Sequence, residues 1–398
     1  MRILVLTSSF PSERNPSASP FLADWAATLA CRDYDVTVLA PSDTVASPEL
    51  PGSAVAVKRF QYLPVAGWQS LAYGGGMYDN VRSRPWRAGQ VPFFLGAQLV
   101  DARCLARKAD VVHAHWLLPS GLVGAWVARQ TGRPLVLTIH STDLHLLRAL
   151  PGGRRLAVSI IRMASALHFV AEYHRRLLFE WLGPEVDAIP SYVTPMGIAD
   201  AFGDGEPPPL RREPRVGFIG RLIPIKGVDR LIRACAPLRA ELDIAGAGPA
   251  HDELSALARR LGVRARFRGA LSGQAKLNFI DSCDILVAPS HEYSSGRGEG
   301  LPVAVLEGLA RGRVVVASDS GGTGEVIQHG HNGYLFDGRR GDELTSTLQS
   351  VMRTWSVAQR IAVEARRTGA RFTASSVARF HDAAYRAARD VRRADVPA

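Results

Sequence analysis

The sequence predicts an α/β chain made of two doubly wound parallel sheets, and three observations predict it. Short apolar runs rich in valine, isoleucine and leucine alternate with amphipathic segments over most of the chain, the pattern of buried parallel strands joined by crossover helices. The alternation breaks at Gly203-Asp-Gly-Glu-Pro-Pro-Pro-Leu-Arg-Arg-Glu-Pro-Arg215, where proline, glycine and charge displace periodicity, and then resumes. At 398 residues the chain is long enough for two domains, each with its own core.

Taken in order, strand-like runs fall at 3–7, 36–40, 55–60, 111–115, 135–139 and 167–170, which places a Rossmann-like domain over residues 1–202. Residues 203–215 are the expected linker. A second series at 216–220, 242–245, 265–267, 285–288, 314–317 and 334–336 makes a second Rossmann-like domain over 216–374, with the two domains expected to face a cleft. Residues from about 341 onwards read as helical, and the last segment, 375–398, could pack back across the hinge onto the first domain.

The N-terminus reads as a short strand rather than a charged region followed by a long apolar stretch, so no signal peptide is expected. No run reaches the roughly 18 apolar residues of a membrane span. Four cysteines, Cys31, Cys104, Cys235 and Cys283, lack CxxC or metal-ligand spacing and read as free, mostly buried thiols in a reducing compartment, the cytoplasm. The net charge of +11 is uneven: residues 353–398 carry 10 basic and 4 acidic groups, more than half of the excess. This tail reads either as a solvated face or as a surface for anionic lipid. Nucleic acid does not fit, because the arginines are not interleaved with aromatics and no binding module is present.

The most informative stretch is Arg297-Gly-Glu-Gly-Leu-Pro-Val-Ala-Val-Leu-Glu307, between two strand-like runs. Pro302 suits the first turn of a helix, which is expected to start near Leu301. Its free amides and positive dipole end would then face the carboxyl ends of the strands, where phosphates bind in such sheets. Glu299 falls just outside the helix and Glu307 about one and a half turns inside, placing the carboxylates about 9–12 Å apart by helical rise. That span suits a sugar at one end and a ribose at the other. Arg221 and Lys226 emerge at the end of the first strand of the second series, a placement for a diphosphate. The chain has only four lysines, Lys58, Lys108, Lys226 and Lys276, so a lysine here suggests a role for a compact ammonium. Taken singly, both cations also read as surface charges flanking a turn.

The motifs Gly220-Arg-Leu with Lys226-Gly, Ile244-Ala-Gly-Ala-Gly-Pro249, Phe267-Arg-Gly-Ala-Leu271, Pro289-Ser290, Glu299-Gly-Leu-Pro with Glu307, and Gly321-Gly-Thr-Gly-Glu325 resemble, in order and spacing, family 4 of the retaining GT-B glycosyltransferases, of the bacterial polysaccharide and glycolipid type. The first half is similar more loosely, through Ser9-Phe-Pro11, Asp110-Val-Val-His-Ala-His115, Leu137-Thr-Ile-His140-Ser-Thr-Asp143 and Pro195-Met-Gly-Ile198. It departs from the family at Asn15-Pro-Ser-Ala-Ser-Pro20, where a glycine-rich loop is common, and at Ala199, where an aspartate is expected.

The resemblance implies that Arg221 and Lys226 bind the diphosphate, that Glu307 takes the ribose hydroxyls, and that backbone groups at Gly300, Leu301, Pro302 and Val303 complete the anion site. It implies that Glu299 holds the donor sugar, that His140 approaches it from across the cleft as a catalytic residue, and that His115 and Asp143 lie on the acceptor side. The implied activity is transfer, as a retaining hexosyltransferase, from a nucleoside-diphosphate sugar to a glycan or lipid-linked acceptor. A departing nucleoside diphosphate builds up negative charge, and two cations with a helix N-terminus would stabilise it without a metal. No cofactor is expected. Asp33-Tyr-Asp35 spells DxD but falls between the first helix and second strand, and is read as a turn.

Two alternatives belong to other classes. Gly246-Ala-Gly248 follows a strand as in a nicotinamide enzyme, but His251 stands at the third glycine position. A non-catalytic nucleotide-sugar binder would keep the second-domain motifs while losing the first-domain histidine and loop, and here His140 and Asp143 are present.

Residues 62–86, with Trp68, Tyr73, Tyr78, Arg82, Arg84 and Trp86, form an expected long loop whose aromatics could stack on a sugar, meet a membrane or pack over the first domain. The helix expected near residues 154–163 carries Arg155, Ser159 and Arg162 on one face and Leu156, Ile160 and Met163 on another, which fits an interfacial helix or a core-facing one. Peripheral attachment to the inner membrane face is the expectation drawn from these basic segments.

Overall fold

A computed structural model describes residues 1–12, 15, 18–43, 54–73, 76–186, 188–291 and 299–394. Pro16 and Ser17 of the first loop, Gly74 and Gly75, and Arg297 and Gly298 lie outside the described residues.

The chain forms two compact units, residues 1–196 with 377–398 and residues 197–376. In unit 1 the strands are β1 (Arg2–Leu6), β2 (Asp35–Pro41), β3 (Ala56–Phe60), β4 (Val111–His115), β5 (Leu135–Ile139), β6 (Ala166–Phe169) and β7 (Ser191–Val193). All pairs are parallel, in the order β3-β2-β1-β4-β5-β6-β7. Successive side chains point to opposite faces, so Leu4, Leu6, Val112 and Leu137 enter one core while Ile3, Val5, Val111 and Val136 enter another. A sheet covered on both faces needs strands that are apolar throughout, which is why these runs were legible.

Unit 2 repeats the design with β8 (Val216–Ile219), β9 (Leu242–Ala245), β10 (Ala265–Phe267), β11 (Ile285–Ala288), β12 (Val314–Ser318) and β13 (Tyr334–Phe336), in the order β10-β9-β8-β11-β12-β13. The helix Val303–Ala310 buries Val305, Leu306 and Leu309 in the same cluster as Ala288 and Val315. Each such side chain contributes about 1.5–3 kcal/mol on burial, enough to hold an eight-residue helix that would not form alone.

Residues 203–215, expected as a linker, are strapped along unit 2, and the division of the chain falls earlier, between Met196 and Gly197. Arg311 Nη1 donates to Asp204 O at 2.7 Å, Arg313 Nη2 to Pro208 O at 2.7 Å and Trp355 Nε1 to Arg211 O at 2.7 Å. The buried Asp284 carboxylate accepts the backbone N–H groups of Arg211 and Arg215. Proline and charge suggest a free segment, but the buried guanidiniums of Arg311 and Arg313 take the Asp204 and Pro208 carbonyls and hold it to unit 2.

The helix Ala374–Ala394 follows, and from Val377 onwards it belongs to unit 1. There Arg32 and Tyr34 both bond Asp382, while Tyr385 sits fully buried. In the helix Gly153–Ile161, Ala157, Val158, Ile160 and Ile161 lie in the core, with Leu156 and Met163 packed against it. Its apolar face is therefore used internally and is not free for a bilayer. Two of the cysteines, Cys31 and Cys104, are exposed rather than buried, because each lies at the outer side or end of its helix.

Candidate active site

In unit 2 the strand order reverses at β8, which lies between β9 and β11, and the carboxyl ends of β8 and β11 flank the crevice where ligands bind in such sheets. Two loops are locked together there. Gly220 N–H donates to Ala245 O at the end of β9 and Leu222 N–H to Ala247 O in the loop that follows. Gly246 has φ +147°, and a Cβ on it would lie 1.8 Å from Gly220 O. The Gly-Ala-Gly motif thus serves close backbone packing. Gly227, at φ +65°, closes onto Pro289 in the same way, its notional Cβ 2.0 Å from the carbonyl oxygen.

This packing sets Lys226 beside the segment after β11. Its Nζ lies 2.5 Å from Glu299 Oε1, and Ser290 Oγ donates to Glu299 Oε2 at 2.7 Å. The Lys226 and Glu299 side chains are each 19% exposed, so the pair is sheltered but within reach of a ligand. Arg221 is exposed at the end of the neighbouring strand.

The helix begins at Val303 rather than Leu301. Pro302 has ψ 124°, an extended value, and caps the helix by accepting the Val305 N–H at 3.0 Å. Pro302 has no N–H, so only Gly300, Leu301 and Val303 of the four expected positions can offer amides. Glu307, in the second turn, is buried. Lys276 Nζ is paired with its Oε1, while Oε2 is buried without a hydrogen-bond partner among the described residues. Lys276 also lies 5.7 Å from the Phe202 ring centroid. Sequence reasoning gave no role to Lys276 or to Ser290, although the scarcity of lysine that drew attention to Lys226 applies equally to Lys276.

In unit 1 the candidates share one face of the sheet. His113 and His115 alternate on β4, and the register sets His115 opposite Thr138 and Thr138 opposite His168. His140 is the first residue beyond β5; its ring stacks on Trp116 at 4.6 Å and its Nε2 lies 3.2 Å from His115 Nδ1. Burial, reinforced by neighbouring histidines, holds both rings well below the usual imidazole range, so both are neutral. Asp143, buried in the first turn of Thr142–Ala149, accepts the Leu117 N–H at 2.7 Å and is pushed by burial up to about 6.

The same face carries a longer chain that the sequence did not reveal. Tyr385 Oη lies 2.7 Å from His113 Nδ1, His113 Nε2 2.6 Å from Thr138 Oγ1, Thr138 Oγ1 3.0 Å from His168 Nδ1, and His168 Nε2 2.8 Å from Thr194 O. A carbonyl only accepts, which fixes every proton: His168 donates to Thr194, Thr138 to His168, His113 to Thr138 and Tyr385 to His113.

Residues 62–86 are structured where described, with short helices at Ala66–Trp68 and Met77–Ser83 and the Asn80 side chain bonded to Leu71 O and Tyr73 O. Tyr73 packs inward, its Oη donating to Pro41 O at 2.6 Å, whereas Trp68 and Trp86 are 65% and 61% exposed. Asp33 lies in a turn at φ +63° and Asp35 opens β2.

The family described as Glycosyl transferases group 1 matches residues 206–368, and the Glycosyl transferase 4-like domain matches residues 18–192. An uncharacterized glycosyltransferase of Methanocaldococcus jannaschii is 26% identical over 59% of this chain, which spans 63% of that relative's length. The D-inositol 3-phosphate glycosyltransferase of Rhodococcus jostii is 30% identical over 71% of this chain and 67% of its own. The crystal structure of Anabaena HepE in complex with UDP is similar in fold, with a TM-score of 0.73, 21% identity and coverage of 96% of this chain and 99% of that one.

Proposed function

The chain belongs to the family 4 glycosyltransferases of the GT-B fold, and we propose that it transfers a sugar from a nucleoside-diphosphate sugar to a glycan or lipid-linked acceptor, with retention and without a metal ion. Glu307 carries this reading. A buried carboxylate oxygen without a partner costs about 1–3 kcal/mol or more, and ribose hydroxyls are donors that would satisfy it. Lys226 and Arg221 then take the diphosphate, together with amides of the first helical turn. Glu299, held by Lys226 and Ser290, accepts from the sugar hydroxyls, and in unit 1 His140 is the proposed catalytic residue. The UDP named for the Anabaena structure and the GDP-mannose named for a mycobacterial mannosyltransferase support the donor class. Retention rests on family membership.

Incubation of the protein with labelled nucleotide sugars and lipid or glycan extracts in excess chelator tests this. Transfer with the anomeric configuration kept is expected. Nucleotide binding with no transfer to any fraction would make the protein a binder, and an absolute need for a divalent ion would return attention to Asp33 and Asp35.

A lipid-linked acceptor would bring the enzyme to a bilayer, and exposed aromatics favour a different surface from the basic helix first considered. Val65, Trp68, Trp86 and Phe93 are all exposed, and Gln90, between the last two in sequence, bonds Trp68 O and the Ser70 hydroxyl. Arg82 and Arg84 are exposed within the same residues 65–93. Tryptophan with arginine suits the interfacial zone of an anionic membrane. Flotation with anionic vesicles should be lost in Trp68→Ala/Trp86→Ala and in high salt; binding unchanged by both would remove this surface.

A further inference from the structure

We infer that His115 is a positioning residue that holds His140 as its Nδ1–H tautomer, so that His140 offers its ligand a neutral hydrogen-bond donor rather than a base. This rests on the reading of His140 as a sugar-site residue.

Only one proton can lie between His115 Nδ1 and His140 Nε2, 3.2 Å apart. If His140 supplied it, the neutral His115 ring would carry its own proton on Nε2. That atom is buried and has no hydrogen-bond partner among the described residues. A stranded N–H is the rarer and costlier kind of orphan; a stranded lone pair is tolerated better. If His115 supplies the proton, its Nε2 keeps a lone pair.

The neighbouring groups favour the second arrangement. Trp25 packs edge-on against His115 with ring centroids 4.8 Å apart, and its own indole N–H is buried without an acceptor. An indole can only donate, so a lone pair on the adjacent ring is attracted to it and a second N–H would be repelled. A doubly protonated His115 is disfavoured because the ring is fully buried and its stacked neighbour, the neutral His113 at 4.5 Å, brings no negative charge to balance it.

His140 Nε2 is therefore occupied as an acceptor, and the ring proton sits on Nδ1. Stacking on Trp116 at 29° and packing against Phe21 hold the ring plane. A fixed neutral donor suits a hydroxyl or phosphate oxygen and takes no proton from it. Nothing else is asked of His115, which touches no ligand itself.

Ring-selective proton–nitrogen correlation spectra of the 15N-histidine-labelled protein test this without reference to activity, with His140→Asn identifying the His140 signals. The expected result is a protonated Nδ1 and an unprotonated Nε2 at neutral pH. A protonated Nε2 would overturn the inference. His115→Phe, which keeps a ring but removes the donor, should release His140 into the other tautomer and lower kcat about a hundredfold with KM for the donor little changed. His115→Asn, whose amide nitrogen can stand in for Nδ1–H, should restore both. If His115→Phe changes the tautomer and leaves kcat intact, the role given to His140 is wrong while the positioning by His115 stands. Should the His115 variants not fold, the wild-type spectrum, assigned through His140→Asn, decides the tautomer.

Discussion

The two units hold their candidate groups in opposite physical states. In unit 2 they are charges: Lys226 against Glu299, Lys276 against Glu307, and Arg221 at a strand end. In unit 1 they are neutral rings layered on one face of a sheet. A sheltered ion pair at the crevice can exchange one partner for a ligand's phosphate or hydroxyl. A chain of neutral rings admits no extra proton without losing a hydrogen bond, which makes it a fixed scaffold. One kind of site suits a donor that comes and goes, the other a side chain that must present one atom reliably.

Acid should therefore act first and most strongly on unit 1. His168 and His174 are lowered by burial from 6.5 to about 4, and His113, His115, His140 and His381 move in the same direction. As pH falls below 6.5 the unfolded rings bind protons that the folded ones refuse, so stability is lost between 6.5 and the folded values. Each ring contributes a slope of about 1.4 kcal/mol per pH unit. Asp143, raised to about 6, works the other way, since its folded form gains a proton first as pH falls. One carboxyl opposes several rings, and the rings win. Amide hydrogen exchange at pH 7 and pH 5 should show protection lost in β4–β6 before β8 and β11; equal loss in both sheets would contradict it.

Next in size is the Lys276–Glu307 pair of unit 2. Lys276→Met leaves Glu307 buried and unpaired and should destabilise the protein by about 3–5 kcal/mol in urea unfolding, while Lys276→Met/Glu307→Leu should recover most of that loss. A smaller effect is expected in the other unit. Tyr385→Phe removes the donor to His113 Nδ1 and should cost about 1–3 kcal/mol, with the loosening seen as faster exchange in the helix Ala374–Ala394.

Sheet-building was legible because a strand covered on both faces must be apolar throughout. The three-residue β7 escaped, since Ser191-Tyr-Val193 is only partly buried and lacks a continuous apolar run. Arg221, Lys226, Glu299 and Glu307 could be proposed from the sequence because each stands within a short glycine-containing motif. Their partners were not. Lys276 meets Glu307 from 31 residues away and Tyr385 meets His113 from 272, and no local pattern encodes such pairings. The linker was misplaced for a related reason: its carbonyls are taken by Arg311 and Arg313, whose burial among distant elements only the fold reveals.

The proposed donor site in unit 2 is tested most directly by calorimetric titration of nucleoside diphosphates into the wild type, Arg221→Ala and Lys226→Ala. Each substitution removes a charge-assisted contact, so each should weaken binding by about 1.5–3 kcal/mol, or about 10- to 150-fold in Kd, with the fold intact. Affinity unchanged in both variants would contradict the assignment of this crevice to the diphosphate.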